Sequence, residues 1–351
     1  MNIRLSDRVI GEREPCFIIA EAGINHNGDI NLAKEMIDTA KKAGADAVKF
    51  QTFQTGEIAT RSAKKAEYQR RLTGKVESQY EMLEKLEITE GDFKVLFAQA
   101  QKEDILFLSS PFDKKSVDLL DSMGVAAFKI ASGEITNLLL LEYIALKKKP
   151  VILSTGMATI DEIEEALATL RQNSLNQILL LHCVSAYPAK AEDMNLKVME
   201  TLNRIFQLPV GLSDHTLGIA ISVAAVVLGA CVIEKHFTLD KNLPGPDHKA
   251  SLEPVEFVQM VNAIRDVEKA IGDGEKRLTK EEEENKLAVR RRIVAATNIP
   301  RGIVITDSML KFKRSYSGLE VIKLKEVLGR ITLKPIKQEE GLTPDLLGDK
   351  K

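Results

Sequence analysis

Residues 210–236 read VGLSDHTLGIAISVAAVVLGACVIEKH, a pattern from which the fold class can be predicted. Two short apolar runs, Val210–Ser213 and Cys231–His236, flank a segment with helical spacing, Ile219–Leu228. A strand, a helix and a second strand in succession are typical of a parallel sheet, because parallel strands need a long crossover connection. Both runs end in polar residues, so the unit predicts polar side chains at one edge of that sheet.

The same unit extends back to residue 16. Eight runs have strand character: Cys16–Ala20, Ala45–Phe50, Ile105–Ser109, Ala126–Ile130, Val151–Ser154, Ile178–Cys183, Val210–Ser213 and Cys231–His236. Eight segments have helical spacing: Asn31–Lys42, Glu90–Lys102, Lys114–Met123, Asn137–Lys147, Ile160–Arg171, Leu196–Arg204, Ile219–Leu228 and Pro254–Ile271. Eight strand–helix pairs predict an α/β protein, a TIM (β/α)8 barrel over residues 1–272, with a doubly wound open sheet as the alternative.

Two segments lie outside this repeat. The connection over residues 51–79 is unusually long, and connections of that length in compact domains are typical of lids or binding loops. The charged run 280–286 breaks the repeat and predicts a solvated helix within a linker, residues 273–290. A small β-rich module is predicted for residues 291–351, with strand-like pieces at Ile293–Ala296 and Ile303–Ile305.

Bulk composition excludes several classes of protein. The 351 residues contain 49 Lys and Arg against 51 Asp and Glu, a net charge of −2 that gives no general attraction for nucleic acid or an anionic membrane. No run is long and apolar enough to span a bilayer, and the first residues lack the core of a signal peptide, so we expect a cytoplasmic protein. The three cysteines lie in apolar runs and are expected to be buried free thiols.

Two histidines at the ends of neighbouring strands predict a metal site. His215 and His236 end the seventh and eighth predicted strands, and the carboxylates of Asp214 and Glu234 flank them. Imidazole and oxygen ligands suit Mn²⁺, Mg²⁺ or Zn²⁺. An ion held by two histidines keeps positions open for substrate and water, which is typical of catalytic sites.

Lysines and hydroxyls at other strand ends predict a pocket for an anion. Lys49 and Lys129 end the second and fourth strands, and five serines share these ends: Ser110, Ser132, Ser154, Ser185 and Ser213. Ammonium and hydroxyl groups together bind phosphate or carboxylate. Lys129 has an alternative use as a Schiff-base lysine of a pyruvate aldolase, and Glu134 is a candidate acid or base.

The strand ends resemble those of the sialic acid synthases, the family of N-acetylneuraminate synthase and its legionaminate and pseudaminate relatives. The matching segments run in order along the predicted barrel: residues 20–28 AEAGINHNG, 47–51 AVKFQ, 128–134 FKIASGE, 154–157 STGM, 181–183 LHC, 211–216 GLSDHT, 233–238 IEKHFT and 245–248 GPDH. The C-terminal module resembles the antifreeze-like (SAF) domain of the same family. The resemblance therefore implies a TIM barrel followed by an SAF domain.

The resemblance also implies a reaction, the condensation of phosphoenolpyruvate with N-acetylmannosamine or a related acylated mannosamine to a nonulosonic acid and phosphate, with C–O cleavage. It implies a divalent ion, Mn²⁺ or Mg²⁺, on His215 and His236. It assigns phosphoenolpyruvate binding to Lys49, Ser110, Lys129, Ser132, Ser154, Ser185 and Ser213. It assigns sugar binding to Glu21, Gln51, Tyr187, Asp247 and Arg314, and catalysis to Glu134, Lys129, Glu21 and Glu234.

Arg314 is implied to come from the partner in a homodimer with swapped C-terminal domains. The sugar stays open between N-acetylmannosamine and the 2,4-diacetamido-2,4,6-trideoxymannose used for N,N'-diacetyllegionaminate. Two other classes of function also remain: a Schiff-base aldolase through Lys129, and a non-catalytic sugar or ice binder suggested by the small domain alone. Strand ends rich in charge argue against the binder.

Overall fold

The repeated strand–helix unit builds a parallel β-sheet in the computed structural model, which describes residues 2–74 and 76–351. The chain divides into two compact units, Met1–Gly272 and Asp273–Lys351. None of the described helices is long and apolar enough to cross a membrane.

Eight parallel strands of the first unit lie in the order β5-β4-β3-β10-β9-β8-β7-β6 in the described part of the chain. Their bounds are β3 Phe17–Gly23, β4 Ala47–Thr52, β5 Leu106–Pro111, β6 Phe128–Ile130, β7 Val151–Ser154, β8 Ile178–Cys183, β9 Val210–Asp214 and β10 Val232–His236. The end strands of this order, β5 and β6, contact each other, so the sheet curls into a barrel. The TIM-barrel prediction is confirmed, and each predicted strand is present with small shifts at its ends.

Helices follow these strands and cover the outside of the sheet. They are α1 Ile30–Lys42, α5 Glu90–Lys102, α6 Lys114–Met123, α7 Leu138–Leu146, α8 Ile160–Gln172, α9 Val198–Phe206, α10 Ala220–Val227 and α11 Pro254–Ile271. Local sequence sets several of their starts, as at α8, where the Thr159 hydroxyl accepts from the Glu162 amide and the Glu162 carboxylate accepts from the Thr159 amide. The predicted helices are confirmed.

Alternation along each strand separates an outer layer from an inner layer. Residues such as Ile18, Val48 and Leu212 face the helices and join the main hydrophobic core. Residues on the other face, such as Ile19 and Ala47, line the barrel interior in a separate apolar cluster. Because side chains point to alternate faces, the residue two positions after each lining residue also faces the interior.

A hairpin that the sequence did not predict closes the N-terminal end of the barrel. Strands β1 (Asn2–Leu5) and β2 (Arg8–Gly11) pair antiparallel. Ile3, Leu5 and Ile10 are buried in the same cluster as the interior lining. The two strands contain only four apolar residues, Ile3, Leu5, Val9 and Ile10, among polar neighbours, a signal too short for periodicity to detect.

The long connection after β4 has structure of its own. It contains the short helices α2 (Thr55–Ile58), α3 (Glu67–Thr73) and α4 (Gln79–Glu84). A small core of Ile24, Phe53, Met82, Leu83 and Leu86 holds the connection to the barrel.

The second unit contains helix α12 (Lys280–Val289), as the charged run predicted, and short antiparallel strand pairs. Strand β11 (Arg291–Ala295) pairs with β12 (Leu310–Arg314), and β13 (Arg330–Thr332) pairs with β14 (Leu347–Lys350). The predicted strand at Ile303–Ile305 is wrong. Only an isolated bridge joins Val304 to Ile331 there, because the turns on either side leave too few residues to form a ladder.

Candidate active site

Polar side chains fill the C-terminal layer of the barrel interior. Most of them lie two residues after an apolar residue that lines the interior from the same strand, because every second side chain of a strand points to the same face. Glu21 follows Ile19 in this way, and Lys49 follows Ala47. The layer consists of buried residues from neighbouring strands: Glu21, Lys49, Ser110, Lys129, Ser154, Cys183, Ser213 and Glu234. All of these except Cys183 are residues that the sequence assigned to the site.

Two lysines and two glutamates form a connected buried cluster. Lys49 Nζ lies 2.7 Å from Glu21 Oε2 and 3.7 Å from Glu234 Oε2. Lys129 Nζ lies 3.5 Å from Glu234 Oε1, so Glu234 joins the two lysines. Two lysines and two glutamates balance in charge, which lowers the cost of burying these groups away from water.

Burial and pairing compete in setting the pKa of each group. Burial tends to raise the pKa of both carboxyls; for Glu234 the two lysines outweigh burial and the pKa is lowered, whereas for Glu21 burial wins and the pKa is raised. Burial lowers the pKa of Lys129, while the glutamates beside Lys49 outweigh burial and raise its pKa. The cluster therefore holds one carboxyl that gains a proton more readily than the other.

Hydroxyl groups extend this cluster. Lys129 donates to Ser154 Oγ at 2.7 Å, Lys49 donates to Ser110 Oγ at 3.3 Å, and Ser213 donates to Glu234 Oε1 at 2.9 Å. Two lysines and three hydroxyls thus meet in one polar layer, as an anion pocket requires.

Ser132 and Ser185 meet at Gly156, at the end of β7. The Gly156 amide donates to Ser132 Oγ at 3.0 Å. A methyl group on Gly156 would lie 2.3 Å from Ser185 Oγ and 2.8 Å from Ser132 Oγ, so no other residue fits without displacing both hydroxyls.

The histidines lie side by side, with ring centroids 5.3 Å apart. His215 Nδ1 donates to the Val184 carbonyl at 2.8 Å, which leaves Nε2 as the lone-pair nitrogen. His236 Nδ1 is buried without a hydrogen-bond partner, and burial lowers the pKa of this imidazole well below its usual value. A divalent ion binds neutral imidazole, a form that burial favours for His236. Burial also acts to lower the pKa of His215, but contacts with Cys183 and Val184 outweigh it and raise that pKa, so an ion would compete with a proton for the second ring.

Among the described residues no three His, Cys, Asp or Glu side chains gather at metal-binding distances, so the histidines would be the chief protein ligands of such an ion. Asp214 does not flank them as the sequence suggested. Its side chain lies on the helix side of the sheet, where it pairs with Lys235 Nζ at 2.8 Å and accepts from the Ser222 hydroxyl at 2.6 Å. Alternation along β9 explains this, since Ser213 and His215 face inward and Asp214 faces outward.

The predicted sugar residues of the barrel lie next to this cluster. Gln51 Nε2 donates to Glu21 Oε1 at 3.4 Å. The Tyr187 ring lies 4.2 Å from the His215 ring and 5.5 Å from the His236 ring, measured between centroids. Asp247 is buried with Oδ1 unpartnered, and burial together with the charge of Glu21 raises its pKa to about 7.

Sequence analysis missed one aromatic contact. Tyr68, in helix α3 of the long connection, stacks on Tyr187 with centroids 4.9 Å apart. The long connection therefore reaches the strand ends, as its length suggested. No spacing rule could have singled out Tyr68, because the contact joins residues far apart in the chain.

Of the remaining predicted residues, one lies outside this cluster and one belongs to the second unit. Glu134 is partly exposed in a turn after β6, and its carboxylate accepts from Asn137 Nδ2 at 2.8 Å rather than pairing with Lys129. Arg314 belongs to the second unit, where it is exposed at the end of β12 and stands opposite Arg291.

The remaining histidines support loops. His182 contacts the Met194 carbonyl at 2.6 Å. His26 Nδ1 accepts from the Gly28 amide at 3.1 Å, and His248 bridges Thr238 and Asn27. These contacts fix the loops around the site rather than supply its reactive groups.

Comparison with known proteins agrees with this geometry. A model of the NeuB family matches residues 36–276, and a model of the SAF domain matches residues 290–348. The chain is 51% identical to N,N'-diacetyllegionaminic acid synthase of Campylobacter jejuni subsp. jejuni serotype O:2, over 92% of this chain and 97% of that protein. It is 48% identical to the synthase of the same name from Legionella pneumophila, over 91% of each chain.

A solved structure is similar as well. The crystal structure of N-acetylneuraminic acid synthetase from Leptospira borgpetersenii serovar Hardjo-bovis in complex with citrate aligns with a TM-score of 0.71 and 38% identity, over 81% of this chain and 95% of that chain. Sequence, fold and strand-end residues agree, and the chain is an enzyme that belongs to the NeuB family of sialic-acid-type synthases.

Proposed function

We propose that the enzyme condenses phosphoenolpyruvate with N-acetylmannosamine or a related acylated mannosamine, giving a nonulosonic acid and phosphate. The observation that carries this proposal is the buried layer in which Lys49 and Lys129 lie among serine hydroxyls, next to His215 and His236. Such a layer offers an anion pocket beside a position for a Lewis acid.

In this proposal the lysines bind the phosphate and carboxylate groups of phosphoenolpyruvate. Both lysines are already paired with glutamates, so the substrate anions replace carboxylate partners rather than water. The serine hydroxyls of the layer, together with Ser132 and Ser185 at Gly156, orient these anions.

The bond changes follow from the substrates. The methylene carbon C3 of phosphoenolpyruvate forms a C–C bond with the sugar carbonyl carbon, whose oxygen becomes a hydroxyl after gaining a proton. Water adds to C2, the carbon that carries the phosphate, and loses its protons as the C–O bond to phosphate breaks, which leaves a ketone and free phosphate. Glu21, with its raised pKa, is suited to supply a proton, and Glu234 and Glu134 are candidates to accept one.

A divalent ion, Mn²⁺ or Mg²⁺, held by His215 and His236 would polarise the sugar carbonyl as a Lewis acid. Gln51, Tyr187 and Asp247 would hold the rest of the sugar. The unpartnered buried Asp247 Oδ1 supports this assignment, because a buried acceptor without a donor is suited to a substrate hydroxyl.

We further propose a homodimer in which Arg314 of one chain completes the sugar site of the other. Substitution of Arg314 by alanine should then raise the sugar KM while the phosphoenolpyruvate KM stays unchanged. An unchanged sugar KM in Arg314→Ala would reject this role.

A second candidate sugar is 2,4-diacetamido-2,4,6-trideoxymannose. It is favoured by the names of the Campylobacter and Legionella relatives, both N,N'-diacetyllegionaminic acid synthases. The relative kcat/KM for this sugar and for N-acetylmannosamine decides between the two.

The test is phosphate release from phosphoenolpyruvate against a panel of acylated hexosamines, with mass analysis of the product. We expect release only with an acylated mannosamine and a divalent ion, and loss of release after EDTA treatment or in His215→Ala. Activity that survives both changes would contradict the metal role. Inactivation by borohydride with pyruvate would favour the Schiff-base aldolase through Lys129 instead.

A further inference from the structure

Tyr187 contacts two other rings, one at the proposed metal site and one in the long connection after β4. Its centroid lies 4.2 Å from that of His215, with the rings tilted by 33°, and 4.9 Å from that of Tyr68, on which it stacks with an interplanar angle of 24°. Aromatic pairs at such distances are favourable. Tyr187 therefore links a proposed metal ligand to the long connection.

Tyr68 is not part of the core that holds this connection in place. Helix α3, which carries Tyr68, has no buried residue among those described, and the core that joins the connection to the barrel is formed by other side chains. The ring of Tyr68 is nevertheless largely shielded from water, and its charged environment includes Asp247. The ring on which it stacks, Tyr187, is a proposed sugar residue.

The hydroxyl group of Tyr68 has no structural role that fixes the ring. It accepts a hydrogen bond of 3.3 Å from its neighbour Gln69, which is on the same short helix. The contact with Tyr187 is made by the ring alone. A phenylalanine should thus replace Tyr68 without loss, whereas an aliphatic side chain should not.

We propose that Tyr68 is a positioning residue for the sugar: its ring stacks on Tyr187, which also contacts His215, and so fixes Tyr187 beside the sugar pocket. This inference rests on the proposed function, because it assigns the sugar to the space next to Tyr187 and Asp247. It gives the long connection a defined part in substrate recognition.

The first test compares Tyr68→Phe and Tyr68→Leu in steady-state kinetics of the full-length enzyme. Loss of an aromatic pair of ordinary strength corresponds to a change of about 2- to 13-fold, so we expect Tyr68→Leu to raise the sugar KM by about that factor. The phosphoenolpyruvate KM should stay unchanged, and Tyr68→Phe should retain wild-type constants. A uniform loss in both substrates, or an equal effect of both variants, would overturn the proposal.

Tyr80→Leu is the matched control. Tyr80 lies in the same connection, and the Arg61 guanidinium lies 5.0 Å from its ring centroid. Its substitution tests whether any lost aromatic ring in the connection disturbs the site. A rise of the sugar KM in Tyr80→Leu equal to that in Tyr68→Leu would contradict a specific role for Tyr68.

A second test uses the absence of tryptophan from the sequence. Tyr68→Trp introduces a single tryptophan that can still stack on Tyr187. Its emission should shift when saturating sugar is added during turnover at saturating phosphoenolpyruvate. Unchanged emission with a competent sugar would overturn the placement of Tyr68 at the sugar pocket.

The two proposals fail differently. If the wild-type enzyme releases no phosphate from phosphoenolpyruvate with any acylated mannosamine, the proposed function fails, and the role of Tyr68 fails with it. If the wild-type enzyme is active and Tyr68→Leu has a wild-type sugar KM, the function stands and only the inference fails.

Discussion

The two ends of the barrel interior use the same strands for opposite purposes. At the N-terminal end, Ile3, Leu5 and Ile10 of the hairpin pack against an apolar lining. At the C-terminal end, two lysines and two glutamates fill the interior. The interior changes from apolar to charged within two residues of the same strand, from Ile19 to Glu21 in β3 and from Ala47 to Lys49 in β4.

Stability and reactivity reside at opposite ends of the barrel interior. Burial of apolar surface stabilises the fold. Buried charges lose the favourable free energy of hydration, and interactions with their partners at best offset that loss. We therefore expect the C-terminal layer to contribute to activity but little to the free energy of unfolding. We expect the N-terminal layer to contribute to the free energy of unfolding but little to activity. Substitutions at each end test that division.

The largest expected effect is on activity, at the C-terminal end. The charge-neutral double variant Lys49→Met with Glu21→Gln removes the 2.7 Å ion pair as a unit. We expect kcat/KM to fall about 10³-fold, on the order of 4 kcal/mol, because the pocket loses one of its two cations. The unfolding free energy, measured in urea, should be unchanged or higher. A large loss of stability with retained activity would reverse the comparison.

The next effect is on stability, at the N-terminal end. Leu5→Ala empties a fully buried position in the hairpin and should lower the free energy of unfolding by about 2–5 kcal/mol. Kinetic constants of the folded enzyme should not change. Val9→Ala, at a partly exposed position of the same hairpin, is the matched control and is expected to shift stability by less than about 0.5 kcal/mol. Changed kinetic constants in Leu5→Ala would show that the ends are coupled.

The third effect is pH-dependent and concerns the loops around the site. Burial lowers the pKa of His26 to about 4, and its Nδ1 must stay unprotonated to accept from Gly28. In the unfolded chain, His26 is protonated as the pH falls below about 6.5, whereas in the folded protein it stays neutral down to about pH 4. The contribution of His26 to stability is therefore fully present above pH 6.5 and is lost as the pH falls towards 4.

His26→Asn keeps an acceptor that does not titrate. Between pH 6.5 and 4, the free energy of unfolding of the wild type should fall by about 3 kcal/mol more than that of the variant. This amount follows from the difference between the pKa of His26 in the unfolded chain and its pKa of about 4 in the folded protein. Parallel pH profiles of unfolding by urea would show that His26 does not contribute.

Periodicity and polar strand ends predicted much of the site. The lysines, serines and histidines follow apolar runs, and parallel strands bring such ends together. Alternation could also have placed Asp214 outside, because it lies between two inward residues. The hairpin β1–β2 and Tyr68 could not be predicted in this way, since both act through contacts between segments distant in sequence.

Local periodicity in the sequence predicted the repeating strand–helix unit and the polar residues at the strand ends, but it left a doubly wound open sheet as an alternative to the barrel. The folded structure shows the closed barrel, and it alone shows which of those residues share a pocket and which are turned away. Glu234 joins the two lysines, whereas its neighbour Lys235 pairs with Asp214 behind the sheet. Interaction partners and pKa values depend on burial and on charges that folding brings close together, so no single segment of the sequence encodes them.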